Sequence, residues 1–376
     1  MSESGYLLWL GCFAVLVRAA MTLYHVPHLA LGAELTADYS QRSTMYAFNT
    51  FFGFMGGALF VPLSYWLFFP TTEQFNPALL NQAAYSPWAL FAGGIMILAI
   101  VVCVLGTWKE IPRLRSLAVP VRESFSPLQM LRELRDAFSN QSFRAIFFGM
   151  ILSMFIIAIE GVFNPFMGFH FWGMTTEQLS YLPLGQLTGL SLSILLVPLL
   201  TRRFDKKNVL IGSALLTIIN INAPIVLLLM DVSWFPEPGT TSLLVLYVCN
   251  VGVTTLLAPV IFATINSMFA DITDEHELET GERREGVIFA ARSFATKATA
   301  SMGLVAGGIL LDVIQFPKGA ALGQVSPETV WQLGFIAGPA TSVFTMFGLL
   351  LYLGYRIDRN RHGEITRELL DRRRSA

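Results

Sequence analysis

Asp271-Ile-Thr-Asp274-Glu275-His276-Glu277-Leu-Glu279-Thr-Gly-Glu-Arg283-Arg284-Glu285 runs directly into Gly286-Val-Ile-Phe-Ala-Ala-Arg292-Ser293-Phe-Ala-Thr-Lys297-Ala-Thr-Ala-Ser301-Met-Gly303-Leu-Val-Ala-Gly307. A dense charged run thus opens onto a long, mostly apolar stretch that still carries two cations. At the centre of a membrane helix each such cation costs roughly 2.5–3.5 kcal/mol, so it faces a bundle interior or a wet cavity and finds a partner there. Ser293, Lys297 and Ser301 are spaced by four and share one helical face. Gly303 and Gly307 have the small-xxx-small spacing that lets helices approach closely. Lys297 is therefore expected to line a cavity. Arg292, about two turns from the charged run, either does the same or snorkels to the interface.

The rest of the chain supports a membrane setting. Of 376 residues, 54% are hydrophobic and 14% charged, too few charges to cover a soluble surface of that size. A net charge of −1 argues against a nucleic-acid partner. Cys12, Cys103 and Cys249 lie in apolar segments without metal-ligand spacing, so neither a disulfide framework nor a metal site is expected. The first apolar segment carries Arg18, is too long for a signal-peptide core and is expected to remain in the mature protein.

Taking about 20 residues as the length of a crossing, about nine spans are predicted, near 6–33, 45–69, 86–107, 143–169, 179–201, 208–230, 241–269, 286–314 and 331–355. The fold class is an all-α integral membrane bundle. No ten-residue alternation suggests a β-barrel. Basic residues fall in alternate connections: Arg42; Lys109 to Arg144; Arg202, Arg203, Lys206 and Lys207; Arg283 and Arg284; and the arginines from Arg356 onward. The positive-inside rule then places the C-terminus in the cytoplasm of a plasma (inner) membrane protein.

The predicted organisation is three spans in 1–107, a central cytoplasmic loop over 108–142, six spans in 143–357 and a basic tail over 358–376. Leu128, Leu131, Leu134 and Phe138, after Ser126-Pro127, predict an amphipathic helix on the membrane surface within that loop. A six-plus-six bundle split by a central loop is the architecture of the major facilitator superfamily. Against it, the chain reads as a twelve-helix fold lacking its first three helices.

Two motifs carry a more specific resemblance. Tyr24-His25-Val26-Pro27-His28 with Gly32, Glu34, Thr36, Asp38 and Arg42 resembles the fourth helix and following loop of the glycoside–pentoside–hexuronide:cation symporters, the melibiose-carrier family of that superfamily. The run Asp271, Asp274, Glu277, Arg283 and Glu285, followed by Ser293 and Lys297, resembles the loop and eleventh helix of the same family in type and spacing. The resemblance implies that Lys297 lies near cation and sugar sites, with Ser293 one turn earlier and Phe262 as a substrate-facing aromatic. His25 stands where sugar carriers of this family place an acidic residue, and Asn49 or Thr50 where they place an arginine. An imidazole can relay a proton near its ordinary pKa of about 6.5, but it cannot supply a permanent carboxylate. His before Val-Pro also resembles the lysolipid-carrying branch of the superfamily.

Other polar residues sit inside the predicted spans. Arg18 precedes His25 by seven positions and shares its face. Glu160, with Asn164 four later, is a carboxylate in hydrocarbon that needs a partner, a proton or a cavity; an ion pair to Arg18 or Lys297 is one solution and a coupling role another. Asn220, Asn222, Asn250 and Asn266 read as interhelical hydrogen bonds. Asp271, Asp274, Glu277, Arg283 and Glu285 are expected to form a cytoplasmic gate of breakable charge pairs, whereas 202–207 reads as a solvated loop.

The sequence has no nucleotide-binding loop, zinc motif or nucleophile elbow, and no enzyme or bound cofactor is expected. The expected function is H⁺- or Na⁺-coupled symport of a sugar- or glycoside-like solute by alternating access, by a monomer in the lipid bilayer. A lysolipid carrier is the second choice. A shortened, non-transporting scaffold is the third, because the family's paired cation-binding aspartates belong to the helices this chain lacks.

Overall fold

A computed structural model describes residues 3–34, 39–72, 74–113, 135, 137–280 and 285–375. Among them no strand occurs. The helices are α1 (Glu3–Glu34), α2 (Tyr39–Phe68), α3 (Tyr85–Thr107), α4 (Gln141–Phe166), the short α5 (Thr176–Leu179), α6 (Leu182–Arg203), α7 (Lys206–Leu229), α8 (Thr241–Thr280), α9 (Glu285–Val313), α10 (Pro327–Phe335), α11 (Thr341–Tyr352) and α12 (Arg359–Ser375). Seven helical segments are long and apolar enough to cross a membrane, and shorter apolar stretches, Gly5–Met21 and Met55–Phe68, lie in α1 and α2. The amphipathic helix expected over 126–138 falls largely outside the described residues.

The chain divides into two units, one of Met1–Gly57 with Ser86–Glu123 and the other of Ala58–Tyr85 with Ser124–Ala376. In the first unit, Tyr24 and His28 stack one turn apart on α1, ring centroids 5.4 Å apart, and His28 Nδ1 lies 3.5 Å from Cys103 Sγ on α3. The second unit holds two buried apolar cores. One gathers Phe143, Ile146, Leu210, Met268, Phe269, Ile272 and Tyr352; the other gathers Ile159, Phe163, Phe171, Trp172, Ile225 and Leu243.

Small residues set the closest helix approaches. A Cβ on Gly189 would collide with the Gly252 carbonyl, and one on Gly185 with that of Val248, so α6 and α8 meet backbone to backbone. Gly303 and Gly307 do meet a neighbour as their spacing predicts: Gly303 faces Phe155 and Ala158, and Gly307 faces Val162, all on α4. The ends of the helices are fixed locally. Asn140 caps α4 by accepting from the Phe143 N–H at 2.9 Å, Thr175 and Gln178 form a capping box on α5, and Ser326 caps α10 ahead of Pro327.

Two segments differ from the sequence expectation. Asp271–Glu279 is not a loop after a span ending near 269; α8 continues through it to Thr280. The run contains no Gly or Pro to stop the helix, and Met268, Phe269, Ile272 and His276 continue one buried face. The basic segment after 358 is also a helix. Ile365 and Leu369 of α12 are buried in the same core as Phe269 and Ile272, and Arg372 Nη1 donates to the Leu278 carbonyl at 2.7 Å.

Candidate functional site

A cavity of about 500 Å³ lies within the second unit, walled by the end of α2, α4 and its π-helical continuation Met167–Phe171, α6, α7 and α8. Its aromatic wall includes Tyr65, Phe163, Phe169, Trp172 and Tyr247. The Trp172 and Tyr247 rings are 5.2 Å apart between centroids. Its polar groups are Glu160, Asn164, Gln186, Asn250, Thr254 and Thr255.

The position of Glu160 follows from the packing of α4. Phe155, Ala158 and Val162 face α9, as the glycine contacts show. At about 100° per residue, Glu160 points roughly 170° away from that face, into the cavity. The same geometry turns it away from Lys297, so the ion pair between them anticipated as one solution does not form. Asn164, one turn on, lines the same cavity.

The asparagines anticipated as interhelical bonds are partly that. Asn220 and Asn250 each donate to the other's backbone carbonyl, joining α7 to α8, and Asn220 Nδ2 also reaches Thr254 Oγ1 at 3.0 Å. Asn222 Nδ2 donates to Ser342 Oγ on α11. Asn250 therefore both braces the bundle and lines the cavity.

At one end of the cavity wall, the Thr71 N–H and hydroxyl donate to the two Glu177 oxygens at 2.6 and 2.7 Å. Leu322 N–H donates to the Asn76 carbonyl at 2.8 Å. The segment after α2 is thereby fastened to α5 and to the connection between α9 and α10.

Asp271 organises the charged end. Its side chain is 5% exposed, and Lys206 Nζ reaches its two oxygens at 2.7 and 2.6 Å. The Tyr355 hydroxyl donates to Oδ2 at 2.8 Å, and His362 Nε2 lies 3.3 Å from Oδ1. Burial, reinforced by the Asp271 charge, holds the Tyr355 phenol far above the ordinary tyrosine range, so it keeps the proton it donates. Nearby, Asn140 Nδ2 donates to Glu275 Oε2 at 2.8 Å, Arg361 Nε lies 4.0 Å from Oε1, and Lys207 Nζ donates to the Tyr355 carbonyl at 3.0 Å. One buried carboxylate thus ties together α7, α8, the end of α11 and α12.

The other anticipated residues fall as follows. Ser293 and Lys297 lie on an exposed face of α9, Phe262 is 39% exposed on α8, and none of the three lines this cavity. Arg292 is half-buried, its guanidinium carbon 5.5 Å from the centroid of the Phe269 ring. Arg18 is exposed on α1, and His25 lies on the same helix with its side chain outside the description. Asp274 and Glu277 sit on α8 in the charged run; Arg283 and the side chain of Glu285 fall outside the described residues. Sequence reasoning missed Lys206, Tyr355 and His362 as partners of Asp271, and Tyr65, Trp172, Gln186 and Tyr247 on the cavity wall. For Lys206 a signal existed: a lysine in the first turn of a helix opposes the helix dipole unless an acidic group offsets it.

Residues 1–359 match the family model described as MFS/sugar transport protein. The chain belongs to this family. It is also similar to an uncharacterized symporter of Synechocystis sp., 25% identical over 251 residues. That match covers 66% of this chain and 44% of the symporter, so the chain spans less than half of that relative's length in the matched region. Family membership and the membrane-crossing helices make it a multi-pass membrane protein of the major facilitator superfamily.

Proposed function

We propose that the chain acts as a secondary active transporter that moves a sugar- or glycoside-like solute by alternating access, coupled to H⁺ or Na⁺. The observation that supports this most is the cavity. Its volume suits a small solute, its aromatic faces offer stacking surfaces for a sugar ring, and its amides and hydroxyls offer convergent hydrogen bonds. Family membership and the resemblance of Phe262, Ser293 and Lys297 to the melibiose carriers agree with it. The reading places the protein in the plasma membrane as a monomer, with the charged end and α12 in the cytoplasm, no bound cofactor and no catalytic role.

Counterflow tests the solute class without assuming a coupling ion. Proteoliposomes of the full chain are loaded with unlabelled glycosides, and entry of the labelled sugar is followed with and without added lysophospholipid. Entry that resists the lipid supports the glycoside reading. Inhibition by the lipid, with labelled lipid carried instead, supports the lysolipid alternative that His25 and its Val-Pro context suggest.

A further inference from the structure

We infer that Glu160 is the group that carries the coupling proton, which deepens the transport reading by assigning its ion and its site. Among the described residues that line the cavity, Glu160 is the one carboxylate, and none is a Lys, Arg, His or Asp. The other titratable side chains there are the phenols of Tyr65 and Tyr247.

The elements packed against α4 supply no counter-charge among the described residues. α9 carries Arg292, Lys297 and Asp312, but it packs on the opposite face of α4, through Gly303 and Gly307. The Tyr352 hydroxyl of α11 is engaged with Ser153 at 3.3 Å, about two turns from Glu160. On the π-helical continuation of α4, His170 packs edge-on against Phe316. On α8, Tyr247 faces the cavity, whereas Asp271, Asp274, Glu275, His276 and Glu277 begin roughly 36 Å further along the helix.

A bare carboxylate inside a membrane bundle is costly, and taking up one proton removes the charge. The passage can then close over a neutral Glu160, whereas an ionised one keeps it wet. Proton uptake discharges Glu160 by itself, whereas Na⁺ held there would draw on the neighbouring amide and hydroxyl oxygens of Asn164, Gln186, Asn250, Thr254 and Thr255 and would make accumulation follow Na⁺ instead of pH. The carboxylate accepts a proton from the side to which the cavity opens and releases it to the other after the bundle rearranges.

Two readouts test this. In difference infrared spectra of the purified full chain, the carbonyl stretch of a protonated carboxyl should titrate with pH in the wild type, be absent in Glu160→Gln and persist, shifted, in Glu160→Asp. In proteoliposomes, a pH gradient should drive melibiose accumulation above equilibrium by the wild type and by Glu160→Asp but not by Glu160→Gln. Identical spectra for wild type and Glu160→Gln would overturn the inference, as would unchanged gradient-driven accumulation or accumulation that follows Na⁺ alone. If the wild type moves no glycoside, the transport reading fails, and the infrared titration still decides whether Glu160 binds a proton.

Discussion

Lys206 Nζ sits 2.7 and 2.6 Å from the two oxygens of Asp271, joining the first turn of α7 to the far end of α8. Because Asp271 also takes the Tyr355 hydroxyl and lies beside His362, the same carboxylate holds α12 against the bundle.

Lys206→Ala leaves Asp271 buried without its ammonium partner. Removing one member of a buried pair costs about 3–5 kcal/mol, and because Lys206 is itself partly exposed a loss near about 3 kcal/mol is expected. Thermal unfolding in detergent measures it. Lys206→Met combined with Asp271→Asn should recover much of the loss, since no uncompensated charge then remains.

Tyr355→Phe removes one hydrogen bond to a charged acceptor, worth about 1.5–3 kcal/mol. The folded protein raises the phenol's pKa above its unfolded value of about 10. Its contribution is therefore complete below about pH 10 and is lost as pH rises from there toward the folded value. The stability gap between wild type and Tyr355→Phe should stay constant from pH 7 to pH 9 and narrow only in stronger alkali. A gap that changes within the neutral range contradicts the neutral phenol.

Gly189→Ala should lower folded yield sharply, because the added methyl group meets the Gly252 carbonyl at the α6–α8 crossing. Gly212→Ala, with open space around the new Cβ, should be tolerated. Size-exclusion profiles of the two variants make the comparison, and equal profiles would mean that the two helices do not cross so closely.

Glu177→Ala should loosen the fastening between the segment after α2 and α5, whose Leu179 lines the cavity. With Cys12, Cys103 and Cys249 replaced by Ser, maleimide labelling of an Asn164→Cys variant reports access to the cavity. Labelling should quicken several-fold when Glu177→Ala is added.

How much of this was legible differs between the fold and the site. The helical bundle could be read because spans of hydrocarbon length leave their mark in composition, and Gly303 and Gly307 gave a helix contact that the packing bears out. The acidic run was legible as a special place. Its helical state and its partners were not, because charges that mark a loop in a membrane sequence can also lie on a helix whose buried face runs on past the span, with distant cations such as Lys206 answering them. On the cavity wall, Glu160 and Asn164 stood out as polar residues in hydrocarbon. Tyr65, Trp172 and Tyr247 resembled ordinary apolar filling, and only tertiary packing brings them together.

Lys297 lies on an exposed face, so Lys297→Ala should leave the unfolding free energy within about 0.5 kcal/mol of wild type. A loss of uptake at unchanged stability would mark it as part of the solute or ion pathway.

The most direct measurement is gradient-driven uptake of labelled glycosides into proteoliposomes containing the full chain. The account predicts accumulation above equilibrium under an imposed H⁺ or Na⁺ gradient, collapsing when an ionophore dissipates that gradient. Uptake that never exceeds equilibrium, or that persists unchanged with the ionophore, would contradict it.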